Sequence, residues 1–223
     1  SNVTDIDDKM IQRAEEQHIS VQELADRIIP EYEKDFSTLR VLPPDFRPKA
    51  TEYIEPMIEL IHKMEQRNAV YTLADGVYFD VSRFPEYGKL SGQNLSELEM
   101  GARVAVHAGK KNPQDFVLWK FEKPGEPAWE SPWGRGRPGW HLECSAMSWK
   151  LLGETFDIHG GGADLMFPHH ECEIAQSEIA HQKPFARYFL HNGFININEE
   201  KMSKSLGNFV TLRDIFSRYS GRV

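Results

Sequence analysis

Cysteine is scarce in this chain, which has only Cys144 and Cys172 among its 223 residues. Two thiols are too few for a disulfide scaffold, and free thiols are typical of a reducing compartment. No apolar run approaches the length needed to span a membrane, and the first residues show no signal-peptide pattern. These absences predict a soluble, cytoplasmic protein without a membrane partner.

Positively charged residues are also fewer than negatively charged ones. The 26 Lys and Arg residues are outnumbered by 34 Asp and Glu residues, giving a formal net charge of −8. The chain as a whole therefore lacks the basic surface with which many proteins hold a polyanion. Any contact with a nucleic acid must be local.

The expected helices come first along the chain. A capping threonine or aspartate near Asp5 predicts a helix through about Glu16, and the capping box Ser20-x-x-Glu23 predicts a second one towards Leu39 despite Pro30. A third helix is indicated by one apolar face, made of Ile54, Met57, Ile58, Ile61 and Met64.

The remaining pattern mixes strands with helices. Residues 69–81 alternate with a period of two around Asp75-Gly76, which predicts a hairpin turning at that pair. The C-terminal part then predicts a helix over 140–152, a strand over 155–158, a glycine turn, a helix from about Pro168 and a strand over 189–197. This order is typical of a parallel α/β sheet.

Three side chains have the chemistry of a metal site. His169 and Glu173 are four residues apart, so one helical face can present both, and Cys144 offers a thiolate from further upstream. Their spacing alone leaves a plainer reading open, in which Cys144 is a buried apolar residue and the others form a solvated helix start. A metalloprotease helix is excluded, because the residue four after His170 is Ile174.

Two further segments could contact a nucleotide. The run from His159 to Asp164 contains three glycines, which allow close approach of a ligand but also suit a flexible turn, and it has neither a Walker lysine nor dinucleotide-binding spacing. Lys201 and Lys204 lie three apart in Lys-Met-Ser-Lys-Ser, where two cations could stabilise charge on a triphosphate. A solvated surface pair is the alternative for the two lysines.

Taken together, these strings resemble those of the cysteinyl-tRNA synthetases, a family of class I aminoacyl-tRNA synthetases. The resemblance covers nearly the whole chain and rests on residues 4–9, 84–90, 115–120, 139–147, 159–173 and 201–208. It implies an α/β fold with a Rossmann-like parallel-sheet nucleotide-binding domain, incomplete at its N-terminal edge, and an inserted α+β connective-peptide subdomain. The implied division is 1–19 for the first part of the catalytic domain, 20–130 for the insertion, 131–200 for the second part and 201–223 for the lysine loop and a following helix.

The resemblance also implies a reaction, in which L-cysteine is activated by ATP, with magnesium, and transferred to tRNA(Cys) by a monomeric ligase. It assigns Cys144, His169 and Glu173 as zinc ligands and Lys201 and Lys204 as catalytic. Lys204, Gly161 and Asp164 would bind ATP, and Thr4, Trp140 and His159 would bind substrate. Because zinc is borderline soft, it would favour the cysteine thiolate over the near-isosteric serine hydroxyl.

Some expectations remain open at this point. The family's first zinc cysteine and its His-Ile-Gly-His motif would precede Ser1, and its anticodon-binding part would follow Val223. Cys172 stands where the family usually has asparagine, so it could compete as a ligand, although Glu173 is favoured. A cysteine-activating aminosugar ligase of thiol biosynthesis and an inactive zinc- or nucleotide-binding fragment are the alternative functions.

Overall fold

The computed structural model describes residues 1–93, 109–197, 199–203 and 207–219. Its helices are α1 (Asp8–Glu16), α2 (Val21–Thr38), α3 (Ile54–Glu65), α4 (Trp140–Leu152), α5 (Glu171–His181) and α6 (Leu212–Phe216). Its strands are β1 (Val70–Leu73), β2 (Gly76–Phe79), β3 (Phe116–Phe121), β4 (Gly136–Pro138), β5 (Phe156–Gly162), β6 (Ala186–Asn192), β7 (Asn196–Ile197) and β8 (Glu200–Lys201). Within these residues, no helix is both long and apolar enough to cross a membrane.

Helix α2 starts where its cap predicts, whereas α1 starts later than expected, after Asp7 and not after Thr4 or Asp5. The Asp7 side chain accepts a hydrogen bond of 2.6 Å from the backbone N–H of Met10 and so caps α1. Ser20 and Glu23 form the reciprocal capping box of α2, which satisfies two N–H groups that the first turn leaves unpaired. Helix α2 continues through Pro30 to Thr38, as predicted.

Helix α3 supplies much of the core. All five apolar residues predicted on its inner face are buried, together with Leu60. Burying a side chain of this size contributes about 1.5–3 kcal/mol. The buried face packs against α4 and α5, so the core lies directly beside the two helices that carry the candidate site.

Four strands form an antiparallel sheet in the order β1-β2-β3-β4. The predicted hairpin is present, but its position in the sequence was wrong by one residue. Leu73 pairs with Gly76, so the two-residue turn is Ala74-Asp75 and Gly76 already belongs to β2. Gly76 lies where an added Cβ would collide with the carbonyl oxygen of Trp119, so close packing between strands, and not the turn, requires glycine there.

Strands β5 and β6 form a parallel pair joined through α5, which confirms the α/β class and the parallel sheet. The glycine turn was wrong, because Gly160, Gly161 and Gly162 pair with β6 and belong to β5. The helix expected from about Pro168 is present: after a kink at Phe167 and a cis peptide bond before Pro168, a π-helical turn leads directly into α5, which begins at Glu171. The strand that was expected to start at Phe189 starts three residues earlier, at Ala186.

One set of glycines matches a nucleotide-binding pattern in sequence but lies in the antiparallel sheet region. Gly134, Gly136 and Gly139 have the spacing of a dinucleotide-binding fingerprint. Gly136, however, lies on β4 at the edge of the antiparallel sheet, and an added Cβ there or at Gly139 would collide with backbone of β3. These two glycines therefore serve strand packing.

Candidate metal centre and active site

Two helices bring the three predicted metal ligands together. Cys144 lies in the first turns of α4, His169 in the turn before α5, and Glu173 in the first turn of α5. One ligand atom from each lies within 4.8 Å of the others. The thiol, imidazole and carboxylate thus converge as the sequence predicted, and zinc binding itself stays a prediction.

The Glu173 carboxylate fits a cation. It is fully buried, and its Oε2 lies 2.6 Å from Nε2 of His159. Its other oxygen, Oε1, is 3.1 Å from Nε2 of His169 but makes no hydrogen bond. Burial acts to raise the pKa of Glu173, yet the two adjacent imidazoles hold that pKa well below its usual value. A buried, ionised oxygen without a hydrogen bond is what a coordinated cation would satisfy.

The surroundings of the Cys144 thiol shift its pKa in the opposite direction from that of Glu173. Burial, with the carboxylates of Glu173 and Glu143, raises the pKa of its thiol well above the usual value. A bound cation reverses that effect, because a coordinated thiol is deprotonated. Cys144 also lines a cavity of about 400 Å³ together with Asn2, Met147 and His159, so there is space for a small ligand beside the cluster.

Outer histidines orient the inner ones. Nδ1 of His141 lies 2.8 Å from Nδ1 of His169, and burial lowers the pKa of His141 to about 4. A neutral His141 can accept a hydrogen bond from the Nδ1–H group of His169, and in that tautomer Nε2 of His169 has a free lone pair for a metal. Sequence reasoning missed His141, although it directly follows the predicted Trp140.

A second set of possible ligands shares Glu173. One ligand atom each of His159, His170 and Glu173 also lies within 4.8 Å of the others. Nδ1 of His170 is 2.9 Å from Nε2 of His191, at the end of β6. Sequence reasoning placed His159 only as a substrate contact and did not find His191. No local pattern points to His191, because β-sheet pairing brings it here.

The other predicted substrate residues lie nearby. The Trp140 ring stacks on the His169 ring with centroids 4.3 Å apart, and 45% of Trp140 remains exposed. Thr4 donates a hydrogen bond of 2.8 Å to Oε2 of Glu143, the residue before Cys144. Burial raises the pKa of Glu143 to about 8. The first residues of the chain therefore lie against the start of α4.

The predicted nucleotide-contacting residues are only partly located. An added Cβ on Gly161 would lie 2.9 Å from Cε1 of His170, so the missing side chain makes room for an imidazole. Asp164 is exposed in the turn after β5. Lys201 is exposed on β8, with its Nζ 3.6 Å above the ring of Phe194. Lys204 lies outside the described residues.

Residues 171 and 172 point away from the metal cluster. Glu171 is fully buried and accepts hydrogen bonds from backbone N–H groups of Gly88, Leu90 and Ser91. The Cys172 thiol lies 3.3 Å from the Tyr87 hydroxyl. Cys172 belongs to neither group of possible ligands, so the expected preference for Glu173 agrees with the geometry.

Comparison with known proteins decides the family. The family model described as tRNA synthetases class I (C) catalytic domain matches residues 1–223. The chain belongs to this family. Curated members named Cysteine--tRNA ligase are 58% identical in Desulfotalea psychrophila, over 98% of this chain and 45% of that protein, and 60% identical in Carboxydothermus hydrogenoformans, over 100% and 48%. The resemblance found in the sequence is thereby confirmed.

A further curated relative and a solved structure also resemble this chain. A Pyrococcus furiosus Cysteine--tRNA ligase is 56% identical over the whole chain, which covers 46% of that protein. A crystal structure described as a "putative arginyl t-RNA synthetase" from Campylobacter jejuni is 10% identical, with a TM-score of 0.52 over 90% of this chain and 36% of that one. This likeness shows the fold alone. The chain spans about half the length of the curated relatives it matches.

Proposed function

We propose that this chain forms the amino-acid site of a cytoplasmic, monomeric cysteine--tRNA ligase, which activates L-cysteine with ATP and transfers it to tRNA(Cys). The supporting observation is the convergence of Cys144, His169 and Glu173, with the unpaired Oε1 of Glu173 among them. The names of the relatives at 55–60% identity support the reaction class.

Zinc is the metal that these donors suit best. A thiolate, an imidazole and a carboxylate form a typical mixed zinc donor set and leave one coordination position for a further ligand. A zinc ion held here would supply preference for sulfur, which an apolar pocket cannot provide against an oxygen isostere. His141 and His159 would hold the ligands in orientation through their contacts with His169 and Glu173.

Other residues have proposed tasks in the same reaction. The half-exposed Trp140 ring would cover one side of the bound amino acid, and Thr4 and His159 would contact its polar groups. Lys201 and Lys204 would neutralise the charge that develops on the triphosphate during activation, with magnesium bound to the ATP. Gly161 and Asp164 would lie beside the nucleotide.

The first test is metal content. Elemental analysis of the purified chain should find about one zinc per chain, held by the three protein ligands. Cys144→Ser should lose the zinc. Cys172→Ser is the matched control, because Cys172 lies one residue from Glu173 but outside the cluster, and it should keep the zinc. Zinc retained in Cys144→Ser would reject this ligand set.

The second test is catalysis by the full-length natural protein that carries this sequence. Cysteine-dependent exchange between ATP and pyrophosphate tests activation, and its absence would favour an inactive binding fragment. Charging of tRNA(Cys) with cysteine tests the second step. Cysteinylation of an aminosugar, without charging of tRNA, would instead support the ligase of thiol biosynthesis.

A further inference from the structure

The ammonium group of Lys201 rests on an aromatic ring and not on an acid. Lys120 and Lys150, for comparison, each lie 2.6 Å from a carboxylate oxygen. Among the described residues, no carboxylate forms an ion pair with Lys201, whose Nζ lies 3.6 Å above the centre of the Phe194 ring. Within this part of the chain the charge of Lys201 is therefore not neutralised, and it can act on an anionic ligand.

The contact between Lys201 and Phe194 follows from the pairing of β7 with β8. Lys201 pairs directly with Asn196. The backbone N–H of Met202 donates a hydrogen bond of 2.9 Å to the carbonyl of Ile195, which extends the pairing towards Phe194. Phe194 precedes Asn196 by two residues, so it is the diagonal cross-strand neighbour of Lys201 on the same face. The ring attracts the cation and thereby restricts a long side chain that would otherwise be free to rotate.

The side-chain amide of Asn208 holds the backbone of the same segment. Its Oδ1 accepts a hydrogen bond of 2.8 Å from the backbone N–H of Ser203, and its Nδ2 donates one of 3.3 Å to the carbonyl of Lys201. Both partners are backbone groups with a fixed donor or acceptor role, so the orientation of the amide does not depend on any protonation state. One side chain thus bridges two backbone positions at Lys201.

The chain after Asn208 is anchored as well. Helix α6 starts four residues later with a reciprocal capping box. Its Arg213 donates hydrogen bonds to the carboxylates of Glu31 and Asp35 on α2. The Asn208 amide therefore connects the segment of Lys201 to a helix that is itself held against α2.

We propose that Phe194 and Asn208 are positioning residues, which restrict Lys201 before ATP binds and so prepare its ammonium group for the triphosphate. Charge that develops in a transition state is stabilised best by a cation that needs no reorganisation at that moment. An unrestrained exposed lysine would lose rotamer freedom on binding. The Phe194 ring removes part of that loss beforehand for the side chain, and the Asn208 amide does so for the backbone. This inference rests on the proposed function, which assigns Lys201 to the triphosphate.

The test is steady-state ATP–pyrophosphate exchange by the full-length natural protein that carries this sequence. Phe194→Leu removes the ring but keeps an apolar side chain, and it should lower kcat about threefold, the size of an exposed cation–π contact. Phe194→Tyr keeps the ring and should retain the kcat of the unmutated protein. The KM for cysteine should stay the same in both variants, because other residues bind the amino acid.

Variants of Asn208 test the backbone bridge separately. Asn208→Ala removes both hydrogen bonds and should lower kcat about tenfold. Asn208→Asp can still accept from the N–H of Ser203 but cannot donate to the carbonyl of Lys201, so it should stay impaired. In a Lys201→Ala background, Phe194→Leu and Asn208→Ala should have little further effect, since both residues act through Lys201.

Tyr32→Leu is the matched control. It removes the cation–π contact of a different exposed ring, that of Tyr32 with Arg47. The exchange rate of this variant should equal that of the unmutated protein. The urea denaturation midpoint of Phe194→Leu should also be unchanged, because almost half of Phe194 is exposed and little packing is lost.

An unchanged or higher kcat in Phe194→Leu would overturn the proposal, since the ring would then be neutral or would hold the ammonium group back. Equal losses in Phe194→Leu and Phe194→Tyr, or full effects of the variants in the Lys201→Ala background, would also overturn it. Should Asn208→Ala fail to fold, the two variants of Phe194 still decide the question. Failure of the proposed function would be recognised separately, since the unmutated protein would then lack cysteine-dependent exchange.

Discussion

Glu171 and Glu173 lie two positions apart in the first turn of α5, and their carboxylates bind different parts of the protein. Glu173 faces the imidazoles of His159 and His169, whereas Glu171 faces the backbone of residues 88–91. One helical turn therefore holds the candidate metal centre on one side and anchors a distant loop on the other.

Glu171→Gln should destabilise the fold. Its carboxylate accepts from three backbone N–H groups and from the Ser91 hydroxyl. An amide would turn a donor towards these donors and lose hydrogen bonds to a charged group worth about 1.5–3 kcal/mol each. We expect urea denaturation to show a loss of about 2 kcal/mol or more. Glu86→Gln, at an exposed pair with Lys89, is the control and should behave like the unmutated chain; an equal effect in both would contradict the anchoring role.

His141→Phe should weaken metal binding without removing a ligand. The loss of the contact between Nδ1 of His141 and Nδ1 of His169 frees the His169 ring to change tautomer and orientation. Outer partners of this kind are worth about 10–100-fold in metal affinity. Competition with a chromophoric zinc chelator measures this affinity. His62→Gln, at an exposed histidine paired with Glu65, should leave it unchanged.

Gly161→Ala should be costly although it adds only one methyl group. The new Cβ would lie 2.9 Å from Cε1 of His170 and 3.1 Å from Cδ1 of Leu165. Overpacking of this kind costs about 1–3 kcal/mol. At the adjacent Gly160 the nearest atom is 3.8 Å away. Gly160→Ala should therefore leave the denaturation midpoint nearly unchanged, and a reversed order of the two variants would contradict the packing assignment.

The Asp8 carboxylate should stabilise the fold in a defined range of pH. Burial acts to raise its pKa, but hydrogen bonds from Lys120 and Arg137 hold that pKa at about 2, below the ordinary 3.8. A lowered pKa stabilises the folded state fully above about pH 4, and the effect disappears as the pH falls towards 2. The difference in unfolding free energy between the unmutated chain and Asp8→Asn should shrink over that range. A difference independent of pH would contradict the ionic contribution.

Local sequence signals predicted the helices well. The range 140–152 matches α4 at both ends, because glycines flank an uninterrupted helical pattern. The capping box at Ser20 and the apolar face of α3 were equally informative, since caps and periodicity depend on residues within a few positions. The close approach of His169 and Glu173 follows from their spacing for the same reason.

The errors occurred where contacts between residues distant in the sequence determine the local structure. Gly160 to Gly162 look like a turn, yet hydrogen bonds to β6 place them in a strand. The pairs His141–His169 and His170–His191 join residues that are 28 and 21 positions apart. Such contacts depend on how helices and strands pack, so no local pattern could reveal them.

The stacking of Trp140 on His169 has a practical consequence for experiments. The indole ring is in contact with one predicted ligand and still 45% exposed to solvent. The fluorescence of Trp140 will respond both to a metal ion that binds the His169 imidazole and to a molecule that displaces water from the exposed face of the indole ring. The protein thus contains its own optical probe, and Trp140→Phe separates that signal from the emission of the other tryptophans.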